Sequence, residues 1–147
     1  LKSGFHQIPL RESDIEKTAF SVKNGKFEFT RLPFGLRNAS AIFQRALDDI
    51  LREHIGKRCY VYIDDILIFG RTKKEHIENL RIIFRTLEDS NLKVHLDKSE
   101  FLKEEIDFLG FNVKEGGFSA NLDRLKAIVN FPQPRTVHDL RSFLGLT

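Results

Sequence analysis

An α+β fold, with helices packed on one face of an antiparallel sheet, is predicted by three features of the 147-residue sequence. The runs Cys59-Tyr60-Val61-Tyr62-Ile63 and Ile66-Leu67-Ile68-Phe69-Gly70 are short, apolar and rich in β-formers, and they flank a pair of acids as in a hairpin. Apolar residues at three-to-four spacing mark a helix on each side of that hairpin. The order along the chain is strand, hairpin, helix, hairpin, helix, strands, a pattern that layers helices on an antiparallel sheet.

The first hairpin is predicted from Thr18-Ala19-Phe20-Ser21-Val22 and Phe27-Glu28-Phe29-Thr30, which alternate apolar and polar around Asn24-Gly25. Asn-Gly tolerates the positive φ angles of a tight type I′ turn. A helix follows, with Ile42, Phe43, Ala46, Leu47, Ile50, Leu51 and Ile55 along one face. Asn38 or Ser40 can cap its start, and Gly56 can take the left-handed conformation at its end. A second helix begins at Thr72, where Thr72 and Glu75 fit a capping box, and Ile77, Leu80, Phe84 and Leu87 form its buried stripe. Extended chain is predicted through Leu92-Lys93-Val94 and again from Ile106 to Val113, with Gly116-Gly117 as a turn. Helices are predicted from Leu122 to Asn130 and after Thr136, and Pro132 and Pro134 between them mark a candidate flexible boundary.

Composition sets limits on function. A hydrophobic fraction of 41% beside a charged fraction of 31% is that of a globular protein, neither a disordered tail nor a membrane protein. No apolar run reaches the roughly 18–20 residues of a transmembrane helix, and the start of the chain lacks a signal peptide's apolar core. The single cysteine, Cys59, excludes an internal disulfide and suits a reducing compartment. Five histidines stand apart from one another and from Cys59, which argues against zinc. A net charge of +3 is compatible with a phosphate-bearing partner and with many inert domains alike. With no methionine, the stretch contains no start of translation and reads as an excised piece.

The acids Asp64 and Asp65 carry the strongest chemical signal. Carboxylates among Val61, Ile63, Ile66 and Ile68 are costly unless a counter-charge is present. Lysine and arginine are absent from the five residues on either side (Cys59 to Gly70), with Arg58 just upstream the exception nearby. A divalent cation would neutralise the pair, and adjacent acids at a strand turn can offer oxygen ligands to Mg²⁺. As a bare dipeptide, Asp-Asp is usually a solvated turn; between two apolar strands it points to a metal.

Tyr62-Ile63-Asp64-Asp65 resembles the signature motif of reverse transcriptases. Leu32-Pro33-Phe34-Gly35-Leu36-Arg37-Asn38-Ala39, then Phe43-Gln44, and later Phe108-Leu109-Gly110-Phe111 are similar to further motifs of that family, in order. Leu1-Lys2-Ser3-Gly4-Phe5-His6-Gln7-Ile8 resembles its first catalytic motif, and Phe143-Leu144-Gly145-Leu146 the segment beyond it in retrotransposon polyproteins. The contexts favour the gypsy class of LTR retrotransposons over telomerase or non-LTR elements. The resemblance implies a right-hand polymerase fold, with residues 1–7 and 39–115 in the palm, 8–38 in part of the fingers and 116–147 at the start of the thumb.

It also implies RNA-directed DNA polymerisation: a primer 3′-hydroxyl attacks the α-phosphate of a deoxynucleoside triphosphate, and pyrophosphate leaves. Two Mg²⁺ ions, with Mn²⁺ as an alternative, would be held by Asp64 and Asp65, with the backbone carbonyl of Leu1 as a further contact. The family's first-motif acid falls just ahead of Leu1, so the 147 residues alone are expected to be inactive. Phe5 matches the aromatic that excludes a ribose 2′-hydroxyl, against a plain reading as an inward core aromatic. Phe34 and Gly35 match the nucleotide pocket, where glycine allows close backbone approach. Arg37 matches a template contact, or is a solvated charge. Tyr62, Phe108, Leu109 and Gly110 match elements that hold the primer end; Phe108 is as readily core. Lys98 matches a general acid for pyrophosphate, or forms a surface ion pair with Asp97 or Glu100. Ser40 stands where many relatives carry proline.

The implied partners are an RNA or DNA template with its primer, deoxynucleoside triphosphates, and the protease, RNase H and integrase modules of a Pol polyprotein, without a membrane. The implied location is intracellular, in a cytoplasmic virus-like particle. A decayed or domesticated remnant that at most binds nucleic acid is the competing reading.

Overall fold

The structure, a computed structural model, describes residues 1–146; Thr147, assigned above to the thumb, lies outside the described residues. The chain divides into two compact units, residues 1–100 and 101–147. In the first, a 3-10 turn (Gly4–Gln7) and helix α1 (Glu12–Ile15) precede a hairpin of β1 (Phe20–Val22) and β2 (Gly25–Phe27). Helix α2 (Ala39–Leu51), the hairpin of β3 (Cys59–Tyr62) and β4 (Asp65–Ile68), and helix α3 (Lys73–Asp89) follow. The second unit holds a meander of β5 (Glu105–Phe108), β6 (Phe111–Lys114) and β7 (Gly117–Ala120), then helices α4 (Leu122–Val129) and α5 (Val137–Leu146). The named strands of the described residues pair antiparallel, in three sheets. No helix among the described residues is long and apolar enough to cross a membrane.

Helix α2 organises the first unit. Ala39, Phe43, Leu47 and Leu51, four residues apart, are its buried positions, and that spacing stacks them on one face. Ile42, expected on this face, is 45% exposed, because the buried stripe runs one row to its side. The inward residues of the β3–β4 hairpin, Cys59, Val61, Ile66 and Ile68, pack against the same cluster. The cluster also takes in Ile83 and Leu87 of α3 and Leu92.

Helix α3 begins as its sequence indicates: Thr72 Oγ1 accepts from the Glu75 N–H at 3.1 Å, and Glu75 Oε2 accepts from the Arg71 N–H at 2.9 Å. Its buried face is Asn79, Ile83 and Leu87, turned from the predicted stripe of which only Leu87 is fully buried. Asn79 is tolerated inside because its Nδ2 donates to the Phe69 carbonyl at 2.8 Å.

Three further expectations are revised. The first hairpin turns at Lys23-Asn24, with Val22 paired to Gly25, and only Gly25 has positive φ (+148°). Every residue of β1 and β2 is exposed, so no buried face selects the predicted register. Leu92-Lys93-Val94 joins no strand; Lys93 is paired by the Gln7 side chain, which accepts from its N–H at 2.6 Å and donates to its carbonyl at 3.0 Å. The compact units part between Glu100 and Phe101 and not at the prolines, since the Phe131 and Phe143 rings, 5.4 Å apart, bridge the proline break within the second unit.

Helix α5 opens with a full capping box: Thr136 Oγ1 accepts from the Asp139 N–H at 3.1 Å, and Asp139 Oδ2 from the Thr136 N–H at 3.0 Å. Hydrogen bonds from the Arg135 N–H and from Thr136 hold the Asp139 carboxyl below its ordinary value.

Cys59 has no exposed surface, and burial pushes its thiol from 9.0 up to about 11. Because the folded thiol titrates above the unfolded one, its contribution to stability is complete below pH 9 and lost as pH rises through about 11. Denaturant midpoints measured across this range should fall, and Cys59→Ala should flatten the fall.

Candidate active site at an acidic hairpin turn

Tyr62 pairs with Asp65, which leaves Ile63 and Asp64 as the two residues of the β3–β4 turn. Ile63 has φ +50°. For a β-branched side chain this left-handed conformation costs about 1–3 kcal/mol, and it persists only where surrounding structure enforces it. The Ile63 N–H donates to Gln44 Oε1 at 2.6 Å. Gln44 Nε2 in turn donates to Asp48 Oδ1 at 2.8 Å and to the Val61 carbonyl at 3.3 Å.

Strand alternation turns Tyr60 and Tyr62 outward, both about half exposed, while Cys59 and Val61 face the core. Asp65 is exposed opposite Tyr62. Asp64 is half-buried, and its Oδ1 is shielded from solvent without a hydrogen-bond partner among the described residues. A buried carboxylate oxygen left in this state is costly. A divalent cation fits it, since two adjacent carboxylates offer the hard oxygen donors that Mg²⁺ and Mn²⁺ take. No cluster of three or more His, Cys, Asp or Glu with metal-binding geometry forms among the described residues.

The first segment of the chain lies against this turn. The Leu1 nitrogen donates to the Asp64 carbonyl at 2.9 Å. Gly4 is buried, and a Cβ there would overlap Asp64 Oδ1 and stand 2.7 Å from Phe43 Cζ. Glycine thus makes room for the Asp64 carboxylate. Gly4→Ala is expected to displace that carboxylate and cost about 1–3 kcal/mol through overpacking. A denaturant melt reads the cost, and an unchanged midpoint would contradict it.

Phe5 is 8% exposed, in a 3-10 turn, with its ring 5.0 Å from Phe43 and 5.1 Å, edge-on, from Phe34. Phe5 is thus a core residue whose ring meets the exposed Phe34 ring. Phe34, 63% exposed, also meets the His6 ring edge-on at 5.1 Å. Gly35 has φ +88°, and a Cβ at that position would meet nothing within 4 Å. Backbone conformation, not close approach within this chain, therefore demands glycine there. Arg37 is exposed just ahead of α2.

Lys98 lies exposed in a 3-10 turn (Leu96–Lys98), and no described contact links it to Asp64 or Asp65. Phe108, Leu109 and Gly110 belong to the second unit. Phe108 pairs with Phe111, and Leu109 and Gly110 form the turn with φ of +53° and +82°, the two positive angles of a type I′ turn. Sequence reasoning gives Gln44 and Gly4 no role of their own. The available signs for Gln44 are its place in the Phe43-Gln44 motif and Asp48 four residues on, a spacing at which helix side chains meet.

A family model described as reverse transcriptase (RNA-dependent DNA polymerase) matches residues 1–113. The retrovirus-related Pol polyprotein from transposon opus of Drosophila melanogaster is 56% identical over 147 residues, covering 100% of this chain and 15% of that protein. The corresponding polyprotein from transposon gypsy of the same organism is 53% identical over 146 residues, covering 99% of this chain and 14% of that protein. The chain thus spans about one seventh of the length of these curated relatives. A solved foamy viral protease-reverse transcriptase in complex with an RNA/DNA hybrid superposes with a TM-score of 0.83 at 34% identity, over 97% of this chain and 19% of that chain.

Proposed function

Since this chain belongs to the reverse transcriptase family, beside the Pol polyproteins of gypsy-class retrotransposons, we propose that it forms the catalytic palm of an RNA-directed DNA polymerase. The observation that carries the reading is the Asp64-Asp65 turn, with Asp64 Oδ1 buried and unpartnered beside Gly4. Asp64 and Asp65 would hold two divalent ions, Mg²⁺ or Mn²⁺, with the Leu1 carbonyl as a further contact. When bound, such ions lower the pKa of an attacking hydroxyl and neutralise charge developing on phosphate oxygens.

The chain's own residues do the positioning. Phe5 and Phe34 form a wall where a deoxyribose fits and a 2′-hydroxyl collides. Tyr62, exposed beside Asp65, presents an aromatic face to a primer end. Arg37 supplies a cation for the template backbone, and Phe108, Leu109 and Gly110 a turn for the primer strand. Lys98 is the proposed donor of a proton to departing pyrophosphate. The solved relative's bound RNA/DNA hybrid supports a template–primer duplex as the macromolecular substrate. Protease, RNase H and integrase partners are proposed from the polyprotein nature of the relatives.

The test is primer extension on an RNA template with deoxynucleotides and Mg²⁺, in a protein that continues upstream and downstream as the relatives do. A lengthened primer establishes the activity. A folded protein that leaves the primer unchanged overturns it in favour of a non-catalytic remnant.

A further inference from the structure

We infer that Gln44, held in orientation by Asp48, is the positioning residue for the acid pair, an inference that rests on the polymerase reading of that pair. Three observations converge on it. Ile63, immediately before Asp64, has φ +50°, which a β-branched residue does not adopt unaided. Glycine, asparagine or aspartate would relax at this position, whereas isoleucine requires an external hold. The Ile63 N–H meets that hold in Gln44 Oε1 at 2.6 Å, from a helix 19 residues earlier in the chain.

The clamp is directional. An amide side chain can present either its oxygen or its nitrogen. Asp48 Oδ1, an acceptor only, takes the Gln44 N–H at 2.8 Å, and the Val61 carbonyl takes it at 3.3 Å. Both acceptors force Oε1 toward Ile63. Gln44 therefore spans the turn from Val61 to Ile63, bracketing Tyr62 and fixing where Asp64 begins. Helix α2 supplies a rigid base, since Phe43 and Leu47 on either side of Gln44 in sequence are fully buried. The described hydrogen bonds of Gln44 reach neither Asp64 nor Asp65; it acts through the backbone that aims them, as outer-shell partners do for metal-binding side chains.

Gln44→Leu removes both hydrogen-bonding ends at similar size. It is expected to lower kcat about 10–100-fold and to raise the Mg²⁺ concentration needed for half-maximal primer extension, with KM for the deoxynucleotide unchanged. Gln44→Glu keeps the acceptor for the Ile63 N–H and should recover part of kcat. Asp48→Ala, at an exposed position, should move kcat and Mg²⁺ dependence in the same direction by less, and it serves as the reading should Gln44→Leu fail to fold. Wild-type kcat and Mg²⁺ dependence in both Gln44→Leu and Asp48→Ala would overturn the inference. Hydrogen exchange of the Ile63 amide separates this outcome from failure of the polymerase reading. If wild-type protein extends no primer, the polymerase reading falls, and the amide still decides the clamp. Protection lost in Gln44→Leu supports the clamp, and unchanged protection refutes it.

Discussion

In a protein that continues upstream and downstream as the relatives do, Asp64→Asn combined with Asp65→Asn is expected to reduce RNA-templated primer extension by about a thousandfold or more. Divalent ions supply several kcal/mol of charge stabilisation in such reactions, and each ~1.4 kcal/mol is a factor of ten in rate. The double replacement removes every carboxylate at the turn. The fold should survive it: Asp65 is exposed, and Asp64 Oδ1 has no hydrogen bond to lose among the described residues. In the absence of divalent ions the variant should melt at or above the wild-type temperature, because a half-buried charge has been neutralised. A variant that melts well below wild type would mean the acids hold the fold together, and lost extension could not then be assigned to chemistry.

Phe43→Ala should be the most damaging single substitution for stability, by about 3–5 kcal/mol, a large share of the 5–15 kcal/mol that stabilises an ordinary domain. Phe43 is wholly buried on α2, its ring 5.0 Å from Phe5, and its Cζ limits the space above Gly4. The cavity would open beneath the segment that carries Gly4 and Phe5. Equilibrium denaturation reads the loss, and extension should fall as well although both acids remain. Phe43→Leu, which refills most of the volume, should restore much of each. A loss below about 1 kcal/mol for Phe43→Ala would show that α2 is not the organising element of this unit.

What is legible in the sequence is local. The Thr72–Glu75 cap, the α2 stripe through Phe43, Leu47 and Leu51, and the placing of Asp64 and Asp65 at or near a hairpin turn each depend on residues a few positions apart. The first hairpin is legible but its turn is not, because its strands are exposed on both faces and nothing buried fixes their register. The Leu92–Val94 segment reads as extended, but Lys93 is paired by the Lys2 N–H and the Gln7 side chain, both far back in the chain, and not by a strand. Asn79 is missing from the predicted face of α3 since its burial depends on the Phe69 carbonyl, a partner set by the tertiary fold. At the site, the acids and the surrounding motifs can be named from sequence, whereas the positive φ of Ile63 and its hold by Gln44 cannot. No pattern marks an isoleucine as left-handed, and the contact joins elements 19 residues apart.

Divalent binding at the Asp64-Asp65 turn is tested most directly by titrating the protein with Mn²⁺ and following paramagnetic broadening of its backbone amide resonances. Broadening that begins at Ile63, Asp64 and Asp65, spreads to Gly4 and disappears in the Asp64→Asn, Asp65→Asn variant is the result expected. Broadening that leaves the turn untouched, or that persists equally in the variant, would contradict a catalytic metal site there.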